Sequence, residues 1–178
     1  MALSRGNEAV CVTVRQSVYS HSSLSVQTGE LVIPLFRQLH HVCVVVADLD
    51  RAVAYYESVG IGPWFDYPKG GAYVEYDVPN AEASAAMRYK CADLDNVQLQ
   101  LCQPSELDSP QRRFLDSVGE GVYHLGFETP DLARAEEQGR EAGLGIVARG
   151  RRADGSGFCY FDTRSGAGVT LEVRKTQA

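Results

Sequence analysis

The spacing of hydrophobic residues along the chain predicts short strands that alternate with helices. A continuous apolar run from Val42 to Val46 predicts a strand. Leu49, Val53 and Tyr56 then recur at helical spacing, which predicts a helix from about Leu49 to Ser58.

The same pattern recurs 83 positions later, so the chain contains an internal repeat. When His41 to Gly62 is set above His124 to Gly145 without gaps, one His, Asp, Leu, Arg and Ala and two Gly coincide. Asp48 and Asp131 are predicted N-caps of the two helices, because a carboxylate accepts from free N–H groups of a first turn. The second helix is predicted from about Leu132 to Ala142.

Both copies end in a strictly alternating strand, and each has room for two further strands before it. The repeat unit is therefore β-α-β-β-β, used twice. The prediction is an α+β fold whose tandem modules form one curved, half-barrel-like mixed sheet around a metal site. The strands predicted after the two helices are Pro63 to Tyr67, Ala85 to Ala92 and Val97 to Leu101 in copy one, and Gly145 to Gly150, Gly157 to Phe161 and Val169 to Val173 in copy two.

The first copy is the longer of the two. His41 and Gln100 are 59 positions apart, whereas His124 and Glu172 are 48 apart. The additional length is predicted in Tyr67 to Ser84, as a long loop or an added hairpin. Loops of this size often cover functional sites.

Four polar residues occupy matching positions of the repeat. His41 and His124 begin the first strands, and Gln100 and Glu172 lie opposite the apolar faces of the last strands. A sheet that curves on itself brings them around one cavity. Two imidazoles, an amide oxygen and a carboxylate suit a divalent ion such as Co²⁺, Mn²⁺, Zn²⁺, Ni²⁺ or Fe²⁺. A lone His is more often structural, as expected for His40, but the matched set favours a metal site.

Composition narrows the classes of function. Of the 178 residues, 44% are hydrophobic and 22% charged, as in globular proteins, and the net charge of −6 argues against nucleic-acid binding. No apolar run approaches the length of a membrane-spanning helix. Five scattered cysteines without a C-x-x-C pair favour reduced thiols and a cytoplasmic location.

The chain divides into an extension and one domain. Residues 1–37 lack a sustained period and carry few acids. They are interpreted as an accessory arm, an upstream extension of the gene model or a transit peptide, without assigned function. Residues 38–175 form the domain, with module one at about 38–104 and module two at about 121–175.

The repeat, with its histidines and terminal strands, resembles the vicinal-oxygen-chelate superfamily, which includes glyoxalase I, extradiol dioxygenases and bleomycin-resistance proteins. The resemblance runs from about Leu39 to Lys175. Within the superfamily the chain is most similar to methylmalonyl-CoA epimerases. The segments that carry the resemblance are His41 to Asp50, Val97 to Pro104, Asp108 to Pro110, Gly121 to Glu128 and Gly168 to Glu172.

The resemblance implies a function and a set of residues. The metal ligands fall on His41, Gln100, His124 and Glu172, and the implied activity is a metal-dependent 1,1-proton shift beside a thioester or ketone carbonyl. In such epimerases a second carboxylate, which is not a metal ligand, acts as an acid–base group. Glu75 is the candidate beside Glu172, although it does not align without gaps, and the alternative alignment offers no carboxylate. The resemblance also implies a homodimer.

The substrate is expected to be a small molecule, either an acyl-CoA or a cyclic or aromatic ketone. The second class is suggested by aromatic residues at Trp64, Phe65, Tyr67, Tyr73 and Tyr76. Three other functions stay open. An Fe²⁺ dioxygenase and a glyoxalase I-like lyase are disfavoured by an amide at the Gln100 position. A metal-free drug-binding module is the alternative outside the enzymes.

Overall fold

The computed structural model describes residues 34–67 and 71–177. The predicted N-terminal extension, residues 1–37, lies outside this part of the chain apart from its last four residues, and its role stays a prediction. The strands are β1 (Gln38–Val45), β2 (Phe65–Asp66), β3 (Tyr73–Asp77), β4 (Arg88–Asp93), β5 (Gln98–Gln103), β6 (Gly121–Glu128), β7 (Ile146–Arg152), β8 (Gly157–Phe161) and β9 (Thr170–Lys175). The helices are α1 (Leu49–Ser58), α2 (Ala81–Ala86), α3 (Pro110–Val118), α4 (Leu132–Glu141) and α5 (Arg164–Ala167).

All these strands form one open mixed sheet, in the order β2-β4-β5-β1-β6-β9-β8-β7-β3. Near its centre β1 and β6, the first strands of the two repeats, pair antiparallel, so both repeats share the sheet of a single chain. In each repeat the first strand pairs parallel with the last, β1 with β5 and β6 with β9. The predicted α+β fold of tandem modules around a curved sheet is confirmed.

The two repeat helices begin and end as their sequences predict. The side chains of Asp48 and Asp131 each accept a hydrogen bond of 3.0 Å from the main-chain N–H three residues on. These bonds satisfy one of the free donors of each first turn. Gly60 and Gly143 follow the helices at φ of 89° and 78°, a left-handed conformation that glycine adopts without strain.

Helices α1 and α4 cover one face of the sheet and form its hydrophobic core. Leu49 on α1 packs with Leu101, and Leu132 on α4 packs with Phe161. Side chains of a strand alternate between faces. The residues between the core positions, such as Tyr160 beside Phe161, therefore face the opposite side of the sheet, where the cavity lies.

The long insertion of the first repeat contains a strand and a helix, so the expectation of a loop or hairpin in Tyr67 to Ser84 is wrong. Strand β3 pairs antiparallel with β7 of the second repeat, with Tyr76 opposite Gly150. Helix α2 follows it, and this shortens the strand predicted from Ala85, since β4 begins at Arg88. The first repeat thus supplies the outermost strand on the second repeat's edge.

Helix α3, between the repeats, is an element that the repeat pattern does not predict. Ser109 caps it by accepting from the N–H of Arg112 at 3.0 Å, and Pro110 occupies its first turn, a common start signal. Phe114 of this helix packs onto Cys43 and neighbouring core residues. The helix therefore covers one end of the sheet's cavity side.

The described cysteines are free and buried, as expected for small core residues. They are Cys43, Cys91, Cys102 and Cys159. Burial raises the pKa of Cys91 and of Cys159 to about 12, which keeps both thiols protonated. Among the described helices, none combines the length and apolar character needed to cross a bilayer.

A buried carboxylate ties α4 to the edge of the sheet. Glu136 on α4 is 3% exposed, and its oxygens lie 2.7 Å from a guanidinium nitrogen of Arg151 and 3.4 Å from one of Arg149. Arg140, one turn later, adds a contact of 3.5 Å. The three arginines neutralise a charge that would otherwise be costly to bury.

Replacing Glu136 by Gln is expected to lower the free energy of unfolding by about 2 kcal/mol. Breaking a fully buried pair costs about 3–5 kcal/mol, and the effect here is smaller because the arginines keep partial contact with solvent. Urea denaturation measures the change. The matched control is Glu137→Gln, since Glu137 is 62% exposed and its surface pair with Arg134 should contribute below about 0.5 kcal/mol. Equal effects of the two substitutions would contradict this account of Glu136.

Candidate active site

Three side chains with metal-ligating atoms converge where the two repeats meet. His41 lies on β1, His124 on β6 and Glu172 on β9. The Nε2 atoms of the histidines are 2.8 Å apart, and Glu172 Oε2 lies 3.1 Å from each of them. Each residue is at most 3% exposed. We call these three residues the ligand cluster.

The ligand cluster has the geometry of a cation site. Within the described chain, Glu172 Oε2 is a buried oxygen that completes no hydrogen bond. Two atoms that bind one cation at about 2.1 Å, at right angles to each other, lie about 3.0 Å apart. The observed separations of 2.8 to 3.1 Å and the unsatisfied carboxylate oxygen therefore fit a divalent ion.

The protonation states also suit a cation. Burial lowers the pKa of His124 by more than the nearby Glu172 raises it, so this imidazole is neutral at pH 7. Burial would raise the pKa of Glu172, but its contacts with His41 and His124 outweigh burial and hold that pKa well below its usual value. Neutral imidazole and ionised carboxylate are the forms that bind metals.

His40, expected to be structural, contacts the cluster directly. Its Nδ1 lies 3.0 Å from Nδ1 of His41. Burial and the charge of Arg174 lower the pKa of His40, so His40 is neutral and can accept the Nδ1–H of His41. That tautomer leaves the Nε2 lone pair of His41 facing the cluster. The sequence did not predict this contact because β1 has a register shift between Leu39 and His41.

Gln100 is oriented by a chain of hydrogen bonds. Its Nε2 donates to Gln98 Oε1 at 2.7 Å, and Gln98 Nε2 donates to Asp93 Oδ1 at 2.8 Å. Because a carboxylate can only accept, the chain has one direction and leaves Oε1 of Gln100 available as a ligand atom. Gln100 is 2% exposed and lines the same cavity as His41 and Glu172.

The strand register preserves the symmetry of the repeat. Gln100 is paired with Cys43 and Glu172 with Gly126, and in both cases the partner lies two positions after the histidine. The two partners differ in size for a steric reason. A Cβ on Gly126 would lie 2.0 Å from Cε1 of His41, so glycine makes room for that imidazole.

A cavity of about 840 Å³ extends from the ligand cluster. Asp66 on β2 and Tyr76 on β3 belong to opposite edges of the sheet, yet both line this cavity. The sheet therefore curves until its edges face each other, and the inserted strand β3 helps to enclose the space. The lining residues include six tyrosines, which are Tyr67, Tyr73, Tyr76, Tyr89, Tyr123 and Tyr160.

Comparison with known protein families shows to which superfamily the chain belongs. The model of the Glyoxalase/Bleomycin resistance protein/Dioxygenase superfamily matches residues 40–160. The chain belongs to this superfamily. The resemblance predicted from the repeat and its histidines is confirmed.

The proteins similar to this chain include several that are named as epimerases. An ethylmalonyl-CoA/methylmalonyl-CoA epimerase of Cereibacter sphaeroides is 26% identical over 142 residues, which cover 78% of this chain and 97% of the relative. Methylmalonyl-CoA epimerase of Mycobacterium tuberculosis has the same fold, with a TM-score of 0.61, 24% identity, and coverage of 84% of this chain and 94% of that one. A variant of the Streptomyces coelicolor enzyme, in complex with 2-nitronate-propionyl-CoA, has a TM-score of 0.60 at 24% identity and covers 80% of this chain and 99% of that one.

Glu75 lies apart from the other predicted site residues. A register shift in β3 between Tyr73 and Glu75 leaves Tyr73 and Tyr76 lining the cavity and Glu75 outside it. The Glu75 carboxylate is 48% exposed and lies 3.5 Å from Arg149. Its position therefore gives no support to a role in proton transfer.

Some of the aromatic residues predicted for a substrate pocket line the cavity, and others do not. Trp64 packs on Tyr56 of α1 and donates its indole N–H to the carbonyl of Ile61 at 3.0 Å. Phe65 does not line the cavity. Several lining residues were not predicted, although alternation along β8 would have identified two of them. The predicted residues that do line the cavity are Tyr67, Tyr73 and Tyr76, and the unpredicted ones include Tyr89, Tyr123, Phe158 and Tyr160.

Replacing Gly126 by Ala is expected to displace the imidazole of His41 and to lower the free energy of unfolding by about 1–3 kcal/mol, as overpacked cores do. Chemical denaturation measures this. The control is Gly121→Ala on the same strand, where a Cβ would approach Phe114 no closer than 3.9 Å. A Gly126→Ala protein as stable as the Gly121→Ala protein would contradict the steric account.

Proposed function

We propose that this protein is an epimerase that moves a proton between the two faces of a carbon atom beside a thioester or ketone carbonyl. The observation that carries the proposal is Glu172, a buried and ionised carboxylate next to two imidazoles at the wall of a large cavity. A carboxylate can take up a proton only in its ionised form, and Glu172 is ionised at neutral pH. Similarity to relatives named as methylmalonyl-CoA epimerases supports the same reaction class.

The proposed metal ligands are His41, His124, Glu172 and Gln100, with Co²⁺, Mn²⁺, Zn²⁺, Ni²⁺ or Fe²⁺ as the candidate ion. A bound divalent ion supplies a Lewis acid that polarises the substrate carbonyl. The orientation of Gln100, with its amide oxygen available, supports a fourth protein ligand. Fe²⁺ dioxygenases use two histidines and one carboxylate, so this fourth ligand favours the isomerase.

The reaction needs one proton to leave and one to return. As a base takes the α-proton, the C–H electron pair moves toward the carbonyl oxygen and an enolate forms. A proton from an acid or a water molecule on the opposite face is then transferred to the same carbon, which restores the C–H bond with inverted configuration. Among the described residues lining the cavity, the carboxylates are Glu172 and Asp66, and Asp66 is exposed and lies 2.9 Å from Lys90. Glu172 is therefore the proposed acid–base carboxylate.

The proposed substrate is an acyl-CoA. The name of the Cereibacter sphaeroides relative supports this class. The cavity walls support the second candidate, a cyclic or aromatic ketone, because tyrosine rings offer flat apolar surfaces. A homodimer in the cytoplasm stays a prediction, which size-exclusion chromatography with light scattering and cell fractionation would test.

Metal-free protein titrated with Co²⁺ or Zn²⁺ is expected to bind about one ion per chain, because the cluster offers one set of ligands. His124→Ala and Glu172→Ala should weaken that binding by more than about 100-fold, since each removes a direct ligand. Calorimetry and elemental analysis measure both effects. Glu137→Gln, far from the cavity on α4, is the control that should bind normally. A wild-type protein that takes up no ion would support the drug-binding alternative.

With methylmalonyl-CoA in deuterated water, the metal-loaded protein is expected to place deuterium at the α-carbon. Glu172→Gln should slow this exchange by about 10²–10⁴-fold, because it removes the proposed acid–base carboxylate and changes one proposed metal ligand. Nuclear magnetic resonance or mass spectrometry follows the label. Exchange that survives in Glu172→Gln would contradict the role of this residue, whereas oxygen consumption with a catechol would favour a dioxygenase.

The nitronate thioester bound by the Streptomyces coelicolor variant offers a second probe. A nitronate is a planar anion and resembles the enolate of the proposed reaction. We expect 2-nitronate-propionyl-CoA to bind the metal-loaded wild-type protein more tightly than methylmalonyl-CoA, since an enzyme binds the charge that develops in the transition state.

A further inference from the structure

The tyrosines of the cavity differ in what their hydroxyl groups contact. Tyr73 accepts from Arg152 at 2.9 Å, and Tyr76 shares a hydrogen bond of 2.5 Å with Ser84. Tyr89 contacts the sulfur of Met87, and Tyr123 interacts with Thr170. Within residues 34–67 and 71–177, no group hydrogen-bonds to the hydroxyl of Tyr67 or of Tyr160.

Tyr160 lies directly beside the ligand cluster. It is paired with Glu172 across β8 and β9, so both side chains face the cavity at the same level. Its ring packs edge-on against the imidazole of His124, with the ring centroids 5.0 Å apart. Of these two tyrosines, Tyr160 is therefore the one on the wall formed by the second repeat.

Tyr67 lies on the opposite wall. It follows β2, which is the outermost strand on the first repeat's side of the sheet, and its ring centroid is 5.6 Å from that of Tyr89. It is near enough to Glu172 and Tyr160 to interact with both electrostatically. Curvature of the sheet thus brings one free phenol to each side of the ligand cluster.

Tyr67 and Tyr160 are partly buried and line the cavity, where a ligand or water can complete the hydrogen bonds of their hydroxyl groups. Burial also raises the pKa of Tyr67, so this phenol keeps its O–H and can donate a hydrogen bond. Donors fixed in a low-dielectric cavity stabilise charge that develops on a substrate oxygen.

We propose that Tyr160 and Tyr67 donate hydrogen bonds to substrate oxygen atoms at the ligand cluster, and that Tyr160 stabilises the oxygen that becomes negative when the α-proton leaves. This inference rests on the proposed epimerase function. It assigns charge stabilisation to Tyr160 and a substrate hydrogen bond to Tyr67 on the opposite wall, at a site where Glu172 is the one buried carboxylate among the described lining residues.

The test measures binding of 2-nitronate-propionyl-CoA to metal-loaded wild type, Tyr160→Phe and Tyr67→Phe. Phenylalanine keeps the ring and removes the donor. Each substitution should weaken nitronate binding about 10- to 100-fold, as the loss of a hydrogen bond to a charged group does. In deuterium exchange with methylmalonyl-CoA, Tyr160→Phe should lower kcat more than it changes KM.

Tyr55→Phe is the matched control, because Tyr55 is a 66% exposed residue of α1, away from the cavity. Metal content and unfolding midpoints show whether the variants keep the ligand cluster and the fold. If wild type binds the nitronate and both cavity variants bind it equally well, the inference is overturned while the epimerase proposal stands. If wild type binds no nitronate and exchanges no proton, the proposed function fails and the inference fails with it.

Discussion

The antiparallel pairing of β1 with β6 is the constraint on which the rest of the molecule depends. It joins the two repeats across their first strands, and it places the imidazoles of His41 and His124 within 2.8 Å of each other. The parallel pairing of β6 with β9 then adds Glu172 at the same level. Because the partner of Glu172 is Gly126, the imidazole of His41 has the space it needs. A slip of this register by one residue would turn these side chains to the helix-covered face.

The buried polar groups where β1, β6 and β9 meet determine what the site can bind. Two imidazoles and a carboxylate are buried together, and the oxygen nearest both rings has no hydrogen-bond donor in the described chain. Such an arrangement is costly unless a cation or a ligand completes it. The curvature of the sheet adds a cavity whose walls are aromatic and whose inner end is this polar cluster. An anionic intermediate is favoured where fixed donors and positive charge meet in a low-dielectric space.

Local pattern and internal repetition predicted most of the fold. Helices α1 and α4 follow from N-caps and periodicity, which depend on neighbouring residues. The partner of β3 could not be predicted this way, because that pairing depends on how far the sheet curves. The orientations of Glu75 and His40 could not be predicted for a related reason. Each lies at a register shift, and there the alternation of a strand no longer tells which way a side chain points.

Anomalous diffraction from crystals of Co²⁺-loaded protein tests the central claim most directly, because it locates the ion without assuming a substrate. We expect one strong peak within bonding distance of Nε2 of His41, Nε2 of His124 and Oε2 of Glu172, about 2.1 Å from each atom. Oε1 of Gln100 should face the same peak. A peak elsewhere in the protein, or fully loaded crystals in which these side chains coordinate no ion, would contradict the account.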